Sequence, residues 1–88
     1  MKVAVWDTFV NRNDGNGIMH FDILVPEEFV DATEIRKYGN EYLKDKEFAS
    51  DSILIDKCLF CHVEHVPQHL KQEINHFGYA IIELSNCE

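Results

Sequence analysis

At 88 residues, 45% of them hydrophobic, the chain is long enough for one small domain with a modest core. Acidic residues number 16 against 8 basic ones, and the formal charge of -8 repels phosphate backbones and anionic bilayers, so neither nucleic acid nor a membrane is an expected partner. No apolar run approaches membrane-spanning length, no secretory leader is read ahead of the first strand, and an odd count of 3 cysteines cannot all pair within one chain, so reduced thiols in a cytoplasmic setting are expected.

Lys2 to Val10 alternates as a strand, with Val3, Val5, Asp7 and Phe9 on one face and Ala4, Trp6, Thr8 and Val10 on the other. Residues 11–17 hold Asn-Asp-Gly and Asn-Gly, which tolerate positive φ, and Ile18 to Val25 alternates again, so a β-hairpin is predicted. Pro26 ends that strand. Asp31 with Glu34 makes a capping-box pattern, with Val30 and Ile35 placed as a hydrophobic staple. Ile35, Tyr38, Tyr42 and Leu43 then give helical spacing to about Lys46. Residues 48–56 read as either an anchored loop or a short strand. Cys58 to Glu64 reads as a third strand. Pro67 opens a second helix with Leu70, Ile74 and Phe77 as its buried stripe and Gly78 as its stop. Tyr79 to Leu84 is the last strand. The predicted order is ββαβαβ, a single α+β domain over residues 1–88 with a four-stranded mixed sheet and two helices on at least one face.

The densest chemistry lies in Cys58-Leu59-Phe60-Cys61-His62-Val63-Glu64-His65, where thiolate, imidazole and carboxylate crowd eight residues. Four readings compete for it. Cys58-x-x-Cys61-His62 matches a haem-attachment pattern, but no export leader is read. Cys58, Cys61, His65 and Cys87, with His69 as a further donor, suit zinc by ligand type, but strand pleating points Cys58 and Cys61 to opposite sides. Thiol redox motifs of this spacing sit at a helix N-terminus, and none starts here. The bland reading has Leu59, Cys61 and Val63 facing the core, with no metal favoured and no cofactor expected.

That bland reading suggests a surface of its own. Trp6, His20 and Asp22 from the hairpin, with Phe60, His62 and Glu64 from the third strand, are candidates for one sheet face that holds a ligand or meets another subunit. Asp7 interrupts an apolar face and is a candidate buried carboxylate, either hydrogen-bonded to backbone or at a pocket mouth with a raised pKa. His65 and His69 are expected in solvent, and His76 in the last turn of the second helix complements its dipole.

Val5-Trp6-Asp7-Thr8, Met19-His20-Phe21-Asp22 with Leu24-Val25-Pro26-Glu27, the Cys58–His62 segment with Glu64, Gly78-Tyr79 with Ile81-Ile82-Glu83, and Cys87 together resemble a family of small bacterial proteins classed as domain of unknown function two thousand and twenty-four. The resemblance covers nearly the whole chain and implies a compact α+β domain; it carries no activity, and Val63 stands where a small polar residue is associated with the family. The expected function is a non-catalytic binding or self-association module. The alternatives are a zinc or thiol protein built on the cysteine segment, and a small-molecule enzyme using His20 or His62 as general base beside Asp22 and Glu64.

Overall fold

The computed structural model describes residues 2–12, 15, 17–28, 31–46 and 57–87. The elements run β1 (Lys2–Asn11), β2 (Ile18–Pro26), α1 (Ala32–Leu43), β3 (Lys57–His65), α2 (Gln68–Phe77) and β4 (Ala80–Ser85), the ββαβαβ order predicted for an α+β fold. Val30 of the expected staple and the ambiguous stretch 48–56 lie outside the described residues.

The hairpin forms as its turn chemistry dictates. Asn11 pairs Ile18, the Arg12 N–H donates to the Gly17 carbonyl at 3.0 Å, and Gly15 and Gly17 take the positive φ values (75° and 103°) the reversal needs. β1 and β2 are the two central strands of a sheet ordered β3-β1-β2-β4. All three pairings are antiparallel, in place of the expected mixed sheet. The reason is where the crossover lands: α1 carries the chain from β2 over β1 to its far side, so β2 and β3 run the same way but never touch.

The helices pack on opposite faces. On one, Ala4, Trp6, Val10, Met19, Phe21, Ile23 and Val25 meet Ile35 and Leu43 of α1, with Tyr38 and Tyr42 alongside. On the other, Val3, Val5, Leu24 and Ala80 meet Ile74 of α2, flanked by Val66, Leu70 and Ile82. Each fully buried Phe, Ile or Leu contributes about 1.5–3 kcal/mol. Phe77 is not part of the α2 stripe: it is 63% exposed, and Tyr79, beyond the turn, packs inward instead, stacked on Tyr38 at 4.5 Å.

The start of α1 and the end of α2 match their signals, while α1 ends at Leu43, short of the expected Lys46. Asp31 caps α1, its carboxylate accepting from the Thr33 and Glu34 N–H groups at 3.0 and 3.4 Å. Pro67 sits one residue before α2, as its N-cap. Gly78 closes α2 at φ 89°, its N–H donating to the Ile74 carbonyl at 2.8 Å, and a Cβ there would meet the Tyr38 hydroxyl at 3.1 Å. Among the described residues, no helix is long and apolar enough to cross a membrane.

Candidate functional site

The hairpin register sets Asp7 directly opposite Asp22, and Phe9 opposite His20. All four project from the α2 face of the sheet, because they share the strand parity of Val5 and Leu24. α2 covers the Val3–Val5–Leu24 half of that face. Asp7, His20 and Asp22 lie beyond it, partly buried, on the two strands held most firmly by neighbours on both sides.

The three side chains converge. The His20 Nε2 lies 3.4 Å from Asp7 Oδ1 and 3.8 Å from Asp22 Oδ1. Phe9 stacks on the imidazole with ring centroids 4.3 Å apart and planes 13° from parallel, which fixes the ring's tilt. Two carboxyls facing one another cannot both ionise cheaply. Burial, together with the hydrogen bond and the charge of Asp7, pushes the Asp22 carboxyl up to about 6, against the milder pull of His20 and His62. Asp7 moves the other way: hydrogen bonds, first from the Asp22 carboxyl and then from the Cys61 thiol and His20, hold it below the usual carboxylate range. The raised carboxyl is therefore Asp22, and Asp7 is its ionised partner. Asp22 Oδ1 is buried and has no hydrogen-bond partner among the described residues.

β3 completes one side of this patch through an irregularity. Its pairing with β1 shifts between Val5 and Trp6, so that Phe60 lies opposite Trp6 but His62 lies opposite Val5. Cys61 is the extra residue of a β-bulge. The bulge turns the strand's parity over. Phe60 stays on the α1 face, edge-on to Trp6 at 5.9 Å. His62 and Glu64 move to the face of Asp7 and Asp22. There His62 spans two neighbours, with Nδ1 3.1 Å from Cys61 Sγ and Nε2 3.0 Å from Glu64 Oε2. The Cys61 thiol is pushed up by the carboxylate it hydrogen-bonds, Asp7.

The six residues grouped as one candidate surface are thus divided by the sheet. Trp6 and Phe60 belong to the α1 face, where the Trp6 ring is buried and its indole N–H has no partner among the described residues. His20, Asp22, His62 and Glu64 share the α2 face with Asp7. The cysteines reverse their expected roles: Cys58 is the buried thiol, accepting from the Thr8 hydroxyl at 3.6 Å, while Cys61 is exposed, as are Leu59 and Val63. Cys87 is buried at the far side of the sheet, its thiol donating to the His20 and Ser85 carbonyls at 3.4 and 3.3 Å. Cys58, Cys61, His65 and Cys87 therefore do not gather around a common point. Among the described residues, the group whose donor atoms all lie within 4.8 Å of one another is Asp7, His20 and Asp22. Its signal in the chain is symmetry: Asp7 and Asp22 stand equally far from the hairpin turn.

No functionally curated protein matches the chain. Among solved structures, it is similar to the NMR structure of protein NE1680 from Nitrosomonas europaea, a structural genomics target, at 27% sequence identity, with 100% of both chains covered and a TM-score of 0.80. That likeness spans both helices and the whole sheet, including the strands that carry Asp7, His20 and Asp22. Residues 1–84 match the model of one family, described as Domain of unknown function (DUF2024), and the chain belongs to that family.

Proposed function

We propose that this chain is a non-catalytic binding module whose ligand surface is the polar half of this sheet face that lies beyond α2. The observation that carries the reading is the convergence of Asp7, His20 and Asp22 within 4.8 Å on the two central strands. A site needs donors held in place by rigid elements, and here a cross-strand pair and a stacked ring hold them. His62 and Glu64 extend the polar surface outward for contacts that set orientation. The surplus of acidic residues favours cationic or hydrogen-bond-donating ligands over phosphate. Three unpaired thiols suit a reducing cytoplasm.

A screen of inorganic ions, amines and small metabolites, read by amide and imidazole NMR shifts, tests this. Shifts centred on Asp7, His20 and Asp22, with the bound compound recovered unchanged, are the expected result. Hits that map only elsewhere, or a compound consumed in turnover, overturn it.

Self-association is a second reading, and β3 favours it. β3 is an edge strand, and Leu59, Phe60 and Val63 are 58%, 54% and 39% exposed on it. A second copy adding antiparallel to this edge would pair the open backbone groups and cover those side chains. Sedimentation across micromolar concentrations separates the cases: a monomer throughout removes this reading.

A further inference from the structure

Resting on the binding reading above, we propose that Asp7, His20 and Asp22 form a site for one divalent first-row transition cation of the zinc or cobalt type, with at least one coordination position left open.

Donor chemistry points to this class. One imidazole nitrogen and two carboxylate oxygens suit borderline ions, whereas calcium takes six to eight oxygens and magnesium keeps a largely aqueous octahedron. Spacing agrees. Two donors each about 2.0–2.1 Å from zinc at the tetrahedral angle lie about 3.3–3.4 Å apart. The His20 Nε2 to Asp7 Oδ1 separation is 3.4 Å, that to Asp22 Oδ1 is 3.8 Å, and the three donors all lie within 4.8 Å of one another, so inward movement of the carboxyls brings them to coordination spacing. The Asp22 Oδ1 atom is buried and has no hydrogen-bond partner among the described residues, so a metal bond would satisfy its lone pairs.

The surroundings are those of a metal ligand set. His20 is held in tilt by Phe9. Outer groups that orient the ligands raise metal affinity. The three ligands come from adjacent strands in one register, so no loop must order for binding to occur. Three protein ligands with an open position are the arrangement in which a metal still accepts water or a small anionic or neutral ligand.

The test uses the full chain stripped with chelator and then titrated with Zn²⁺, Co²⁺ or Mg²⁺. Calorimetry is expected to give one Zn²⁺ or Co²⁺ per chain, with Mg²⁺ at least a hundredfold weaker. Asp22→Asn and His20→Gln, close in shape to the native side chains, are each expected to weaken Zn²⁺ at least tenfold while their circular dichroism stays native. The Co²⁺ complex is expected to show visible bands without a thiolate charge-transfer band. A charge-transfer band that vanishes in Cys61→Ser, affinity unchanged in both site variants, or no stoichiometric ion at all each overturns the proposal. If the ion fails while a metabolite still shifts Asp7 and His20, the metal inference falls and the binding reading survives. If nothing shifts these residues, both fall.

Discussion

Phe21 and Asp22 are consecutive in β2 and look out from opposite faces of the same sheet, into very different surroundings. Phe21 is fully buried, its ring centroid 4.6 Å from that of Tyr42. Polar groups beside it are paired, the Trp6 indole N–H excepted among the described residues: the Thr8 hydroxyl donates to the Trp6 carbonyl at 3.3 Å, and Glu83 accepts from the Tyr42 hydroxyl and from Lys46 Nζ, the latter at 2.6 Å. Asp22 meets another carboxyl across the strand, and one of its oxygens is buried without a partner among the described residues. The α1 face supplies folding free energy. The half of the other face beyond α2 holds groups that oppose folding when no ligand is present, and such local conflict is where binding sites are expected.

Replacing Phe21 with Ala is the sharpest test of the first half of that contrast. It should cost about 3–5 kcal/mol, read as a fall in the urea midpoint, and leave Zn²⁺ affinity within twofold once the protein is folded. Loss of metal binding in the folded variant would mean the two faces are not independent. Asp22→Asn should act in the opposite direction. In chelator at neutral pH it removes the like-charge pair and should stabilise the chain by about 1 kcal/mol; a lower melting temperature would contradict the conflict described here.

The same conflict sets a pH dependence for the metal-free chain. The folded Asp22 carboxyl, at about 6, lies above its ordinary value of 3.8, so the folded state keeps a proton that the unfolded chain gives up. Its contribution is full below about pH 4 and is lost as pH rises through about 6. Asp7, held low, contributes above its ordinary value and loses that contribution as acid protonates it. Stability from this pair should therefore peak near pH 4–5 and fall toward pH 7, and Asp22→Asn should flatten the upper limb. Thermal melts across pH 3 to 8 check this, and an upper limb equally steep in the variant would assign it to other groups. The smallest effect concerns the thiols. Cys61 should be the residue alkylated in the native state, more slowly than a free cysteine because its pKa is raised; Cys58 and Cys87, both buried, should wait for opening. Peptide mapping after a brief iodoacetamide pulse reads the order.

Local chemistry made the element order, the start of α1 and the end of α2 legible. Asp31 and Gly78 act through short-range hydrogen bonds that a few adjacent residues encode. Which residues share a face was harder to read, for two physical reasons. First, each face of the sheet has its own helix, so both strand parities are apolar and alternation does not mark one as solvent. The hairpin register then decides, and it sets Trp6 opposite Ile23 rather than on the face of His20 and Asp22. Second, the one-residue bulge at Cys61 carries His62 and Glu64 away from Phe60, and nothing in a Cys-Leu-Phe-Cys run announces it. The carboxylate pair was half visible: Asp7 stood out as a polar residue on an apolar face, but its partner lay across a turn whose length sets the pairing.

The central position of β1 and β2 also bears on how the molecule is assembled. These two strands are joined by a short reversal, whereas β3 and β4 must travel around a helix to reach the flanks. Loop-closure entropy is smallest for the inner ribbon, so it is the natural nucleus, with each outer strand docking onto a template already in place. Hydrogen exchange should accordingly be slowest at the amides shared by β1 and β2 and fastest along the two outer edges, leaving the metal-ligand strands as the last part of the molecule to let go.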